Sequence, residues 1–300
     1  MPLYSATPIM DEVLRIRPCT AADADHFIIC KGKEMRYIIA KGGEAPLVRC
    51  VVSYGGKAAL LLKLLAYLPK RLLTRAKLGF WAQVSLHETV QAAIPQGHRW
   101  NVLVGTYCEK QKLVFQCFEN THGESLFVKV GNAASEREMQ AEMRFLQQGG
   151  SAFRKVEIPQ LTQAVFRTGD SGFNIMTTRE FHGEKEQEEL TADIIAAWRE
   201  IAAVAQDGTL EFSHGDFAPW NLRRKGEHHI VFDWEHCGMK PHGYDLLYWG
   251  VVTRLARRGM NFDAAYEEAL AELRHYDVHP AMTKEEFYRL FTEVITPDGF

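Results

Sequence analysis

A carboxylate and a carboxamide lie five residues apart in the segment from His214 to Asn221, which reads HGDFAPWN. Another carboxylate, Asp233, follows an apolar run of three residues further along the chain. Phosphoryl transfer needs a carboxylate that accepts the proton of an attacking hydroxyl, together with oxygen ligands that hold magnesium beside the phosphate. Asp216 suits the first task, and Asn221 and Asp233 suit the second. The pattern therefore predicts phosphoryl transfer.

Two short strands are expected to position these side chains. Residues 221–224 and 228–234 flank a Lys-Gly pair, which is typical of a tight turn between two strands. A hairpin returns the chain alongside itself, so we expect the carboxylate of Asp233 to face Asn221. The hairpin thereby supplies a second magnesium ligand.

The segment from His214 to Asn221 resembles the H-G-D-x-x-x-x-N catalytic loop of the aminoglycoside phosphotransferase and choline kinase group. Residues 232–235 resemble the metal-binding D-W-E variant of that group, and the resemblance extends over residues 101–250. It implies a protein-kinase-like fold, ATP as the phosphoryl donor and magnesium as the cofactor. It also implies that Asp216 is the catalytic base and that the phosphoryl group passes directly to an alcohol group of the acceptor.

The same resemblance implies an ion pair that binds the nucleotide phosphates. Residues 127–130 correspond to the strand whose lysine contacts phosphate in these kinases, and that lysine is Lys129. A glutamate of the following helix is expected to hold it, and Glu142 fits the family spacing better than Glu138. Glu138 stays open as an alternative, although its position three residues after Ser135 is also typical of a capping box.

Further residues take roles from the resemblance. His214 is expected to support the loop by hydrogen bonding, and Asp245 either braces the loop or caps a helix N-terminus. Residues 178–181 correspond to the connection between the lobes, whose backbone groups contact adenine. Three side chains lie where the family meets its substrate: Trp220, Trp234 and Glu235.

One departure from the kinase pattern weakens the expectation of tight ATP binding. The turn over the phosphates, residues 109–112, contains no glycine, so its backbone amides are less able to approach a nucleotide closely. Lys110 or Lys112 would supply charge instead. A non-catalytic relative that binds a nucleotide or a glycan is therefore the alternative function, against which Asp216 and Asp233 argue.

A binuclear metallophosphatase is a second alternative, because that class also uses a G-D pair. Its other candidate ligands would be drawn from His214, Asp216, His228, His229 and Asp233. The D-x-H and G-N-H-E signatures of such enzymes are absent from the sequence. Metal preference would discriminate between the two enzyme classes. A serine hydrolase is excluded, since Ser213 lacks the G-x-S-x-G context.

Periodicity predicts the elements around these motifs. Strands are expected at residues 36–40, 47–54, 102–108, 113–118, 125–130, 164–168 and 173–178, and helices at 135–148, 191–205, 262–276 and 284–295. The fold class is therefore α+β, a two-lobed kinase-like fold with an antiparallel sheet and one helix in the N-lobe and a mainly helical C-lobe. We predict an N-terminal extension over residues 1–98, the N-lobe over 99–180 and the C-lobe over 181–300.

The extension contains an acid-free stretch, residues 46–87, in which lysines and arginines alternate with leucines. This composition indicates two basic amphipathic helices that are separated at Pro69. One interpretation is peripheral attachment to an anionic membrane. The other is that the leucines pack on the main domain, which is the more common outcome for such stripes.

Bulk composition excludes some classes of partner and leaves the acceptor open. A net charge of −3 over 300 residues gives no reason to expect a nucleic-acid partner. Six scattered cysteines favour a reducing cytoplasm, and the longest apolar run is too short to span a bilayer. We therefore expect a cytoplasmic protein and leave open whether it is also peripheral to the inner face of a membrane. The acceptor implied by the resemblance is a hydroxyl of a small molecule, a glycan or a glycolipid.

Overall fold

The structure is a computed structural model that describes residues 7–52, 67–105, 107–119, 125–148, 153–167 and 172–295. The chain forms two compact units. The first unit comprises Met1–Met143 and Gln160–Glu180, and the second comprises Arg144–Pro159 and Phe181–Phe300. The final crossing between the units thus falls within the predicted connection at residues 178–181.

The first unit contains most of the strands among the described residues. Its early elements are α1 (Pro8–Val13), β1 (Leu14–Pro18), β2 (His26–Lys31), β3 (Glu34–Ala40), α2 (Glu44–Val52), α3 (Lys70–Arg75), β4 (Gly79–Leu86) and α4 (Glu88–Ala93). There follow β5 (Arg99–Val104), β6 (Leu113–Phe118), β7 (Ser125–Gly131) and the helix α5 (Glu136–Gln148), in which the first unit ends after Met143. Two more strands, β9 (Leu161–Val165) and β10 (Asn174–Arg179), complete it.

Nine of the described strands form one antiparallel sheet in the order β1-β4-β2-β3-β5-β6-β7-β10-β9. Successive residues of β2 show why both faces of this sheet are covered. Ile28 belongs to the larger core cluster, whereas Phe27 and Ile29 belong to a second cluster with Leu47 of α2 and Leu73 of α3. Because side chains alternate between the faces of a strand, a fully apolar strand requires packing on both sides.

The extension departs from the prediction in its second element. Residues 47–52 lie in the helix α2, so the predicted strand is wrong over that part. A short apolar run fits either period, and burial of Leu47 against the sheet favours the helix. Of the acid-free stretch in which an amphipathic helix pair was predicted, residues 53–66 lie outside the described residues. After Pro69, residues 70–75 form α3, whereas residues 79–86 form the strand β4. The domain boundaries at residues 98 and 180 stay a prediction.

The second unit carries the short strands β8 (Val156–Glu157), β11 (Glu184–Lys185), β12 (Gln206–Asp207), β13 (Leu210–Ser213), β14 (Leu222–Lys225), β15 (His228–Val231) and β16 (Gly238–Pro241). Its helices are α6 (Ala192–Ala202), α7 (Tyr244–Arg258), α8 (Phe262–His275) and α9 (Lys284–Val294). Aromatic contacts such as Phe217 with Trp249 and Tyr244 with Phe287 join these helices and loops. The predicted α+β fold class is confirmed, with an antiparallel sheet and a helix preceding a mainly helical region.

None of the helices that the structure describes combines the length and the apolar character needed to cross a membrane. The cysteines with described side chains form no disulfide bond with one another: Cys19, Cys30, Cys108, Cys117 and Cys237. The cytoplasmic location stays a prediction.

Candidate active site

The loop after β13 reverses the chain at Gly215. This glycine has a φ of 90°, a left-handed conformation that favours glycine. A Cβ atom at this position would also overlap the backbone carbonyl oxygen of His236. Both constraints explain why the H-G-D sequence needs glycine in the middle.

Asp245, in the first turn of α7, accepts hydrogen bonds from the backbone of this loop. Its two carboxylate oxygens accept hydrogen bonds from the backbone N–H groups of His214 and Gly215, at 2.7 and 2.9 Å. Burial raises the pKa of Asp245 to about 7, although these two hydrogen bonds oppose the rise. The predicted bracing contact is therefore present in the structure.

His214 links the loop to the hairpin that follows. Its Nε2 atom lies 3.0 Å from the carbonyl oxygen of Phe232, and its Nδ1 atom accepts a hydrogen bond from the backbone N–H of Asp216. Burial lowers the pKa of His214 to about 4, so the ring is neutral and carries its proton on Nε2. The supporting role expected for His214 matches these contacts.

Asp216 and Asn221 are joined directly. The Nδ2 atom of Asn221 donates to the Oδ2 atom of Asp216 at 2.8 Å and to its backbone oxygen at 2.9 Å. Burial raises the pKa of Asp216 to about 7, while hydrogen bonds from Tyr248 and Asn221 oppose the rise. Since both hydrogen bonds use the amide nitrogen, the amide oxygen of Asn221 stays available as a ligand atom.

The hairpin β14–β15 brings Asp233 next to Asn221. Leu222 pairs with Val231 in the ladder, and the backbone N–H of Phe232 donates to the carbonyl oxygen of Asn221 at 3.1 Å. Asp233 itself has a φ of 69°, which is uncommon for a residue with a Cβ atom. Asn221 therefore pairs through its backbone with Phe232, the residue before Asp233, and the expectation that the Asp233 carboxylate faces Asn221 stays a prediction.

The first unit holds the predicted lysine and glutamate. Lys129 of β7 forms an ion pair with Glu142 of α5 at 2.7 Å, and both side chains are largely buried, with 12% and 4% exposed. Glu138 instead pairs with Lys110 at 2.5 Å. Burial is the largest single influence and raises the pKa of Glu138, but the hydrogen bonds from Lys110 and from the backbone of Glu138 together with the charges of Lys110 and Lys112 outweigh it, so the pKa is lowered. The partner of Lys129 is thus Glu142.

The predicted capping box is not formed in the described structure. The backbone N–H of Ser135, which a capping box would join to the Glu138 carboxylate, instead bonds the carbonyl oxygen of Asn132, and the Ser135 hydroxyl donates to the same oxygen. An Asn132 cap of the preceding helical turn takes its place, because the Asn132 side chain accepts from the N–H of Ala134.

The turn without glycine is stabilised by a residue that the sequence did not single out. Gln111, only 2% exposed, donates to the carbonyl oxygen of Gly105 at 2.9 Å and accepts a hydrogen bond from Thr7. The backbone N–H of Gln111 also bonds the carbonyl oxygen of Cys108. Side-chain hydrogen bonds therefore fix this turn. Gly105 and Cys108 are near Gln111 in sequence, but its buried partner Thr7 is 104 residues away, and no local pattern marks that contact.

The structure changes which aromatic side chains are expected near a substrate. Trp234 is fully buried and stacks on Phe145 at 4.1 Å between ring centroids, so its expected contact with substrate is wrong. Trp220 is partly exposed, and a substrate contact there stays a prediction, as it does for the partly buried Glu235. Tyr248, which donates a hydrogen bond to Asp216, was missed. Its signal was the spacing of three residues from Asp245, which places both on one face of α7.

The phosphatase interpretation finds little support in the hairpin. His229 is buried and lies 2.8 Å from the carboxylate of Glu186, so it serves a structural ion pair. His228 is exposed. Of the four histidine and aspartate ligands that this class would add to Asp216, these two are engaged elsewhere or face solvent.

Comparison with solved structures gives low similarity over much of the chain. The GDP complex of aminoglycoside 2'-phosphotransferase-IIIa is 14% identical, covers 64% of this chain and 91% of its own, and has a TM-score of 0.38. The streptomycin–ATP–APH(2")-IIa ternary complex is 14% identical, covers 63% of this chain and 84% of its own, and has a TM-score of 0.41. Amicoumacin kinase hAmiN in complex with AMP-PNP, Ca2+ and Ami is 13% identical, covers 67% of this chain and 81% of its own, and has a TM-score of 0.37.

No curated protein matches the chain. A family model described as "phosphotransferase enzyme family" matches residues 87–284, which is more than half of the sequence. The matched range contains the loop with Asp216, the hairpin with Asp233 and the ion pair of Lys129 with Glu142. The resemblance inferred from the motifs is thereby confirmed, and the chain belongs to the phosphotransferase enzyme family.

Proposed function

We propose that the protein is an ATP- and magnesium-dependent phosphotransferase that acts on a hydroxyl of a small molecule, a glycan or a glycolipid. The observation that carries the proposal is the hydrogen-bonded pair of Asp216 and Asn221, with Asp233 adjacent across the start of the hairpin.

The chemistry of the donor set fits magnesium. The amide oxygen of Asn221 and the carboxylate of Asp233 are hard oxygen ligands, and nucleotide phosphates and water would complete the shell. When bound, magnesium neutralises the charge that develops on the transferred phosphoryl group. The remaining work belongs to the protein's own residues.

Asp216 is assigned as the catalytic base. Its carboxylate orients the acceptor hydroxyl and takes its proton as the oxygen–phosphorus bond forms, and the bond to ADP breaks. Hydrogen bonds from Asn221 and Tyr248 fix the carboxylate before substrate arrives. Such preorganisation reduces the reorganisation that the reaction requires.

Lys129 is assigned to the nucleotide phosphates. The ion pair with Glu142 immobilises a long flexible side chain, so its ammonium group is held ready for an anion. Residues 178–181 are assigned to adenine contacts through their backbone. A lipid-linked acceptor would place the enzyme at a membrane surface, and both that location and the cytoplasmic compartment are parts of the proposal.

A non-catalytic relative that binds a nucleotide or a glycan is the second candidate. The glycine-free turn at residues 109–112 favours it, because backbone amides there are less able to surround phosphates. In that case the Asp216–Asn221 pair would be a structural remnant without turnover.

Calorimetric titration of ATP with and without magnesium tests the proposal. Wild-type protein is expected to bind ATP in a magnesium-dependent way, and Asp233→Ala is expected to lose that dependence. Asp207→Ala, an exposed aspartate in β12, is the matched control and should bind like wild type. Binding without turnover across an acceptor screen would favour the second candidate, and absence of ATP binding at millimolar concentration would contradict the first.

A further inference from the structure

One surface of the first unit combines exposed apolar and basic side chains around the short helix α3, and is hereafter the 67–78 surface. Nine large apolar side chains are exposed in the part of the chain that the structure describes, and four of them belong to this surface: Tyr67, Leu68, Leu72 and Leu78. Their exposed fractions lie between 40% and 61%. Single exposed apolar residues are normal, whereas clustered ones mark a surface that binds something.

The orientation of α3 is fixed by one buried leucine. Leu73 is 2% exposed and packs in the cluster that contains Phe27 and Leu47. Lys70 also anchors the helix, since it pairs with Glu44 at 3.4 Å. With one face of the helix held against the sheet, the neighbouring Leu72 faces outward. Its exposure therefore follows from packing on the opposite side of the helix.

Positive charge surrounds these apolar side chains. Arg71, Arg75 and Lys77 are exposed, and none of them forms an ion pair with another described residue. Arg71 and Arg75 are four residues apart and share one face of α3. No acidic residue occurs between residues 46 and 87. The charge of this surface is thus uncompensated locally, in a chain whose net charge is −3.

Lys77 occupies a position that favours glycine. Its φ is 56°, and α3 ends in a Schellman arrangement, in which Leu78 N–H bonds Leu73 O at 2.9 Å and Lys77 N–H bonds Thr74 O at 3.1 Å. Glycine would adopt this conformation without the steric cost that lysine carries. A non-glycine residue in a disfavoured conformation suggests that its side chain has a function. The side chain of Lys77 adds a positive charge to this surface.

We propose that the 67–78 surface docks the protein on a bilayer that contains anionic lipid. The exposed leucines would enter the interfacial region, and the guanidinium and ammonium groups would contact headgroup phosphates. Apolar side chains surrounded by cations fit a bilayer surface, in which an anionic headgroup layer lies above the apolar acyl chains. A nucleic acid would match the charges but would leave the leucines in water. Docking rests on the membrane location that the proposed function includes and assigns it to these residues. Vesicle binding does not depend on ATP or magnesium, so a failure of docking is distinguishable from a failure of the phosphotransferase activity.

Flotation with lipid vesicles tests the proposal on the full chain. Vesicles of phosphatidylcholine with about a third phosphatidylglycerol are expected to carry the protein at low salt, and pure phosphatidylcholine vesicles are not. Binding should weaken as added salt shortens the screening length from roughly 10 Å to roughly 3 Å. Equal binding to both lipids, or no binding to anionic vesicles at low salt, overturns the proposal.

Paired variants locate the surface. Arg71→Gln combined with Arg75→Gln is expected to weaken vesicle binding roughly 30-fold, and Leu72→Ser about tenfold or more. The controls are Arg258→Gln combined with Arg289→Gln, two exposed arginines of the second unit, and Val204→Ser, an exposed apolar residue there. These should bind like wild type. Equal losses in the control variants would place docking elsewhere and overturn the assignment.

Lys77→Gly separates docking from folding. Glycine relieves the left-handed backbone, so the melting temperature is expected to stay or rise while vesicle binding falls about fivefold. An unchanged affinity for vesicles in this variant contradicts the role of Lys77. Stronger binding of wild type to an RNA homopolymer than to anionic vesicles would assign the surface to nucleic acid and overturn the proposal.

Discussion

The hairpin that carries Asp233 and the 67–78 surface each contain a residue other than glycine in a left-handed backbone conformation, with φ of 69° at Asp233 and 56° at Lys77. Next to Asp233, Trp234 is fully buried and its indole N–H bonds the carbonyl oxygen of Val231 at 2.8 Å. Next to Lys77 the side chains are exposed, and only the end of α3 sets the conformation. Packing enforces the first conformation, whereas a helix terminus alone permits the second.

The difference teaches how much each region depends on particular residues. In the loop with Asp216, buried hydrogen bonds demand specific partners such as His214 and Asp245, because an unpaired buried polar group is costly. Apart from the buried Leu73 and the paired Lys70, the residues of the 67–78 surface are exposed and make no comparable demand. Substitutions should therefore have large effects in the first region and small ones in the second.

The largest effect is expected for Asp216→Asn. Loss of the proton acceptor should lower the transfer rate by roughly 10² to 10⁴, the usual share of positioned proton transfer. The asparagine keeps the shape of the side chain, so thermal unfolding should change little. Steady-state rates measured with a saturating nucleotide check the prediction, with Asp207→Asn as the exposed control. Activity equal to wild type would remove Asp216 from the catalytic role.

A second large effect is expected for Asp245→Ala. Two buried N–H groups, of His214 and Gly215, would lose their acceptor, which should lower the free energy of unfolding by roughly 3 kcal/mol. Urea denaturation measures it. Asp263→Ala, whose side chain is 81% exposed and pairs with Lys284 at the surface, should change it by about 1 kcal/mol or less. Similar losses in both variants would contradict the bracing role.

An intermediate effect is expected from pH. The pKa of Asp216 is raised to about 7 by burial, so the base is ionised above that pH and the transfer rate should fall about tenfold per unit below it. The free energy of unfolding should change in the direction opposite to the rate. The pKa values of Asp216 and Asp245 are both about 7 in the folded protein against an ordinary 3.8. The native state therefore binds more protons, and the free energy of unfolding should fall as pH rises from about 4 to 7.

Rate profiles and urea denaturation over the same pH range check both directions. A rate that is constant between pH 6 and pH 8, within about twofold, would show that Asp216 is ionised throughout that range. A free energy of unfolding that rises between pH 4 and pH 7 would contradict the raised pKa values of the two carboxyl groups.

The smallest effect on the free energy of unfolding is expected when the two left-handed residues, Asp233 and Lys77, are replaced by glycine. Both Asp233→Gly and Lys77→Gly should change the free energy of unfolding by between about zero and 1 kcal/mol in the stabilising direction, since relief of strain is partly offset by a more flexible unfolded chain. Only Asp233→Gly should lose magnesium-dependent ATP binding. Denaturation and calorimetry on both variants test the comparison directly. A large loss of stability at Lys77 would show that packing, rather than a helix end, fixes that residue.

The sequence predicted more of the second unit than of the extension. The predicted helices at residues 262–276 and 284–295 match α8 and α9 to within a residue at each end, because periodic apolar positions and caps such as Asn261 and Thr283 mark them. The predicted strand at residues 102–108 instead begins at Arg99 and ends at Val104. Residues 47–52 became a helix because the apolar face of the sheet needed covering, which no local pattern records.

The spacing of Asp216, Asn221 and Asp233 was sufficient to predict the phosphotransferase family, because it matches the catalytic-loop and metal-binding motifs of that family. Local patterns also determined the hairpin and the main helices. Only the tertiary structure decided that Glu142 rather than Glu138 pairs with Lys129, that Trp234 is buried, and that Gln111 and Tyr248 stabilise their loops. Those outcomes depend on contacts between residues distant in sequence, and burial decides which polar groups must find a partner.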